Sequence, residues 1–136
     1  MRPYPDANWL DIAARVEASG ARVECAGPWL RTDEIAAFTG QLIQMQTSLS
    51  GAAELACMEP NLNIKVQCKS LGHLDVIISI TPDHMTQSHV FNFALDQSYL
   101  PSAIADCRQF LTIFPIVGST DYKAVERTKV EIEWPW

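Results

Sequence analysis

The sequence contains no long apolar run. No segment approaches the roughly 18 continuous apolar residues of a membrane-spanning helix. The opening MRPYPDANWL also lacks the apolar stretch of a secretory signal. No C-x-x-C pair occurs. Cys25, Cys57, Cys68 and Cys107 lie at wide, irregular gaps that do not suit zinc ligands. Three of them fall in the apolar phase of candidate strands or helices. All four therefore read as small thiols in a reducing compartment, and the cytoplasm is the expected location. Gly20, Gly27, Gly40, Gly51, Gly72 and Gly118 are too dispersed to form a phosphate-cradling loop, and no G-x-S-x-G is present. Positive charge is scarce, with ten Lys and Arg against sixteen Asp and Glu and a net charge of −6. Those ten are scattered, which argues against a nucleic-acid partner because phosphate neutralisation needs a basic stripe. An acidic surface favours solubility and also favours encounter with a basic protein.

What is present suits one folded domain spanning residues 1–136. Hydrophobic residues make up 48% and charged residues 19%, a balance unlike that of disordered chains. A chain of 136 residues can bury a core without disulfide staples.

Residues 1–8 hold two prolines and read as an irregular arm. Ile12, Ala14, Val16 and Ala18 share one phase, Ser19-Gly20 interrupts, and Val23 and Cys25 resume, which predicts a hairpin. Gly27-Pro28 then punctuates. In LRTDEIAAFTGQLIQMQTSLSG, Ile35, Phe38, Leu42, Met45 and Leu49 recur every three or four residues, predicting a helix. Thr32 is its expected N-cap, Asp33 and Glu34 suit the positive end of the helix dipole, and Gly51 suits the stop.

Period-two alternation dominates the middle. Leu55 and Cys57 are in phase, then Leu62, Ile64, Val66 and Cys68, then Leu74, Val76, Ile78 and Ile80, then Phe91, Phe93 and Leu95. Leu100, Ile104, Cys107, Leu111 and Phe114 predict a second helix, with Pro101 in its first turn and Pro115 and Gly118 ending it. Asp96 or Ser98 is placed to cap the junction DQSYLP. Residues 119–136 form a tail in which KVEIEW alternates as a final strand stopped by Pro135. The expected order is ββ-α-ββββ-α-β. The expected class is α+β, an antiparallel sheet of about six strands with two helices packed on one face.

No catalytic constellation outweighs its structural explanation. Asp83, His84 and His89 share the loop TPDHMTQSH and make up the one arrangement that suggests a metal-dependent enzyme. The outward sheet face is more informative. Alternation places Glu54, Asn63, Lys65, Gln67, Asp75, Ile77, Ser79, Val90, Asn92 and Ala94 there. An apolar patch in a polar surround is either covered by the N-terminal hairpin or offered to a partner.

The pieces WLRTDEIAAF, AELACMEPNLNIKV, GHLDVIISITPD and FNFALDQSYLPSAIADCRQFLTIFP, taken in order from Trp29 to Gly118, resemble the WapI-like family of bacterial toxin immunity proteins. The resemblance implies a protein that binds a cognate toxin domain, often a nuclease, and performs no catalysis and needs no cofactor. It supplies no shared binding residues. Face assignment alone nominates the acids Glu54, Glu59, Asp75 and Asp83, with Ile77 as an apolar anchor. Alternatives are the metal-dependent enzyme and a structural module that self-associates as a homodimer through the final strand or the outer sheet face.

Overall fold

The computed structural model describes residues 8–116 and the strand 129–134, the latter as backbone. The arm 1–7, the Gly118 stop, the segment 117–128 and Pro135 lie outside the described residues. The order is β1 (Trp9–Ala18), β2 (Ala21–Arg31), α1 (Thr32–Ser48), β3 (Ala52–Ala56), β4 (Leu62–Cys68), β5 (His73–Ile80), β6 (Val90–Asp96), α2 (Leu100–Ile113) and β7 (Lys129–Trp134). The chain is α+β, as its patterning predicts.

The strands form two sheets rather than one. One has the order β2-β1-β7, the other β3-β4-β5-β6. β1 pairs antiparallel with β2 across the Ser19-Gly20 turn, and Gly20 supplies the positive φ of 78° that the turn needs. On its other side β1 pairs in parallel with β7, from Asp11 opposite Lys129 to Val16 opposite Trp134. The final strand is thus taken up within its own chain. The four-stranded sheet is antiparallel throughout.

Both inner faces feed one core. Leu10, Ile12, Ala14 and Val16 of β1 join Leu55, Ile64, Val66, Val76 and Ile78 of the second sheet. α1 packs against β3 and α2 and contributes Ile35, Phe38, Leu42 and Met45. Only the first turns of α2 are fully buried, at Leu100, Ala103 and Ile104, while Cys107, Leu111 and Phe114 are partly buried. Because β1 sends its apolar side into this core, the hairpin does not cover the outer face of the second sheet.

Three local expectations need correction. Gly27-Pro28 lies within β2, where the register slips between Leu10 and Ile12, so the proline sits at an irregularity that has no need of its missing N–H. A Cβ at Gly27 would come within 2.6 Å of the Trp29 ring, so any larger residue there would displace that ring. The N-cap is Arg31, not Thr32. Thr32 is buried and its N–H donates to the Asn8 carbonyl (2.9 Å), tying the helix start to the beginning of β1. Leu49 does not extend the apolar face of α1. It is half exposed and takes the left-handed C-cap conformation (φ 51°), donating its N–H to Met45 O.

Glu34 does more than complement the dipole. Its Oε1 accepts the Arg31 N–H (2.7 Å), and its Oε2 accepts the Met58 N–H (2.7 Å) from the β3–β4 loop. One carboxylate therefore joins the helix start to a loop 24 residues away in sequence. Desolvation raises its pKa above 4.5, against the lowering effect of those two N–H groups. For a carboxyl with a raised folded pKa, the folded state binds the proton more tightly, so stability falls as pH rises from 4.5 through the folded value. In Glu34→Gln the amide offers one acceptor oxygen to two N–H donors. Equilibrium urea denaturation is expected to show a loss of about 1–2 kcal/mol at neutral pH. That segment of the pH–stability profile should also flatten in the variant.

Gly40 lies inside α1, exposed, with open space where a Cβ would stand. Gly40→Ala should raise stability by about 0.5–1 kcal/mol, read as a higher urea midpoint with unchanged slope.

Candidate partner-binding surface

The outer face of β3-β4-β5-β6 follows from its register. One row runs Glu54, Lys65, Ile77, Asn92; a second runs Ala52, Gln67, Asp75, Ala94; a third runs Ala56, Asn63, Ser79, Val90. Each inner neighbour is apolar because strand side chains alternate. The described residues leave this face open, with Ile77 39% exposed and Val90 54% exposed.

Its acids have local partners. Glu54 stands directly opposite Lys65, and its Oε2 accepts from Asn63 Nδ2 (2.8 Å). Asp75 lies 3.8 Å from Lys69 Nζ. The sheet face is therefore closer to neutral than the total charge of the chain suggests.

The β3–β4 and β5–β6 loops differ. They meet at one end of the sheet, where Thr81 N–H donates to Asn61 O and Asn61 Nδ2 donates to Thr81 O, both at 3.0 Å. Asn61 and Thr81 are buried, so this reciprocal pair satisfies polar groups that burial would otherwise penalise. Glu59 lies on the first loop and Asp83 on the second. Asp83 organises its loop. Its Oδ1 accepts the Met85 N–H (3.0 Å), its Oδ2 accepts the Thr86 hydroxyl (2.8 Å), and its carbonyl accepts the Gln87 N–H (2.9 Å). The Thr86 bond, followed by the Met85 N–H, holds the Asp83 carboxyl below its usual range.

Two residues that strand patterning passes over stand out on these loops. Met58 is 73% exposed and Met85 is 80% exposed. Each is an apolar side chain amid turn-forming residues, in CMEPN and TPDHMTQ. An apolar residue inside a loop sequence is the signal that could have found them. Methionine is flexible and polarisable and suits a surface that must adapt to a partner.

The sequence-nominated residues thus fall into two groups. Glu54, Asp75 and Ile77 share the sheet face. Glu59 and Asp83 share the loop end with Met58 and Met85.

His84 lies near enough to Asp83 for its charge to lower that carboxyl, but His89 turns to Gln87. His89 Nε2 lies 3.1 Å from Gln87 Oε1, and both Asp83 oxygens are engaged within the turn. Among the described residues no three His, Cys, Asp or Glu side chains gather to hold a metal ion. All four cysteines are free thiols. Burial pushes Cys25 up to about 11 and Cys57 up to about 12, so both stay protonated near neutrality.

The model of the WapI-like immunity protein family matches residues 2–115. The chain belongs to that family. The match begins well before Trp29, so it takes in the β1–β2 hairpin that the sequence resemblance left out. Comparison with curated proteins and with solved structures returned no match. In this immunity-family chain no described helix is long and apolar enough to cross a membrane.

Proposed function

We propose that this protein neutralises a cognate toxin domain in the cytoplasm by binding it and occluding its active site, without chemistry of its own. The observation that carries the reading is membership of an immunity protein family over residues 2–115. The net charge of −6 supports a basic toxin, and nucleases that must bind phosphates are basic. Glu54, Glu59, Asp75 and Asp83 are the proposed acidic contacts, with Ile77 as an apolar anchor on the sheet face. Glu59 and Asp83 are the stronger pair, because Glu54 and Asp75 already lie beside lysines. Met58 and Met85 add apolar contact beside that pair.

The test is rescue. The toxin-like reading frame adjoining the gene is expressed with and without this protein, and surviving cells are counted. Survival together with a stable 1:1 complex supports neutralisation by binding. Continued killing by a neighbour shown to be toxic overturns the pairing.

A further inference from the structure

Sheet edges expose unpaired main-chain donors and acceptors, and folded proteins blunt them with charge, proline, bulges or a covering element. Three of the four described edges carry such a device. β2 has Pro28, the register slip and the exposed charges Arg22 and Glu24, whose ion pair closes to 2.5 Å. β7 has Lys129, Glu131 and Glu133 in its sequence. β3 is five residues long, lies against α1, and has its Glu54 N–H taken by Gln41 Oε1 (2.6 Å).

Among the described residues β6 has none of these. It runs seven residues, Val90–Asp96, without proline, and its one charge is Asp96 at the end. Among the described strands it has a neighbour on one side only.

The hydrogen-bond phase of this edge follows from one contact. Ile80 N–H donates to His89 O (3.1 Å), and the register places these two residues opposite each other. In an antiparallel ladder, bonded and non-bonded pairs alternate. Phe91, Phe93 and Leu95 therefore turn their main-chain groups toward β5. Val90, Asn92, Ala94 and Asp96 turn theirs toward the open edge. The side chains of Phe91, Phe93 and Leu95 lie on the core side yet are only partly buried, and the Phe91 and Phe93 rings stack 6.4 Å apart.

We propose that β6 pairs antiparallel with β6 of a second copy of this chain, joining two four-stranded sheets into one of eight. The register that pairs the whole strand with itself is centred on Phe93. Asn92 of one copy then faces Ala94 of the other, and Val90 faces Asp96, which matches outward-turned groups with outward-turned groups. On the core side Phe93 meets its own copy and Phe91 meets Leu95, so the half-covered apolar row becomes continuous across the junction. A slip by one residue would set outward groups against groups already bonded to β5, and a slip by two would keep the phase but shorten the ladder and leave Phe91 or Leu95 without an apolar partner. A second copy is favoured over a foreign strand because both the hydrogen-bond phase and the apolar row match the strand to itself.

Sedimentation of the full chain from about 1 to about 500 µM tests this. A dimer should form within that range. Salt should favour it, because each copy carries −6 while the edge itself is nearly uncharged. Ala94→Pro removes an N–H that points away from β5, so the β5–β6 ladder stays intact while the new one cannot form. That variant should stay monomeric. Ala94→Lys, which guards the edge with charge, should weaken pairing at least about tenfold and carries the test if the proline variant misfolds. The Asn92 and Ala94 amides should exchange on the order of tenfold more slowly as concentration rises, while those of Phe91 and Phe93 should not change. A wild-type chain that stays monomeric at the highest concentration overturns the proposal. Dimers that persist unchanged in folded Ala94→Pro or Ala94→Lys also overturn it. Protection of these amides in a monomer only when toxin is added would assign the edge to a foreign strand instead.

Discussion

Phe38→Ala is expected to lower the stability of the fold by about 3–5 kcal/mol. Phe38 is 1% exposed and is the largest of the fully buried side chains among the described residues. It sits mid-way along α1 between Ile35 and Leu42, where the helix closes the core. Truncation removes apolar surface and leaves a cavity that close-packed neighbours fill only in part. Single domains hold about 5–15 kcal/mol in total, so this one change consumes a large share of the margin. Urea unfolding should show a large drop in midpoint with little change in slope. A loss below about 1 kcal/mol would mean that the helix is not seated on the core as described.

The second large effect concerns the partner. Reversing Glu54, Glu59, Asp75 and Asp83 to lysine together should weaken toxin binding by roughly 30- to 1,000-fold at low salt. The figure combines about 0.5–1 kcal/mol for each exposed charge, four times over. The salt dependence should also collapse or change sign, because steering acts through net charge. The effect should not divide evenly. Glu59 and Asp83 should account for most of it, since Glu54 faces Lys65 and Asp75 lies near Lys69. Asp83 also holds its loop together, so Asp83→Asn is the necessary control: it removes the charge while keeping an acceptor for the Met85 N–H. Affinity and salt slope unchanged in a folded quadruple variant would remove these acids from the interface.

The sequence was most readable where the cause of structure is local. Alternation in LNIKVQC and HLDVIISI yields β4 and β5 with their buried faces correctly assigned. At the DQSYLP junction Asp96 caps a single 3-10 turn, Gln97–Tyr99, and not α2 itself, whose N-cap is Tyr99 without a side-chain cap bond. Asp96 Oδ1 accepts the Ser98 N–H (2.8 Å) and also the Ser98 hydroxyl, and Pro101 falls in the first turn of α2. The Ser98 bonds hold the Asp96 carboxyl below 3.8. Its stabilising contribution is therefore complete above 3.8 and is lost as pH falls through the lower folded value. What could not be read is choice of partner. Nothing in TKVEIEW says that it lies beside residues 11–16, because β pairing is set by contacts distant in sequence. The division into two sheets was hidden for the same reason. Within the candidate surface, face assignment placed Glu54, Asp75 and Ile77 correctly outward. Met58 and Met85 escaped because loop residues carry no periodicity.

The seating of β1 between β2 and β7 has a consequence for synthesis. β2 leaves the ribosome directly after β1, but the other neighbour follows only after roughly 110 more residues. At about 5–20 residues per second, β1 waits roughly 5–20 s for that partner. During this interval the nascent chain holds a two-stranded ribbon with an unfilled flank, while the four-stranded sheet can already close. Assembly is therefore expected to proceed from the middle of the chain outward, with the β1–β7 ladder as its last and slowest event.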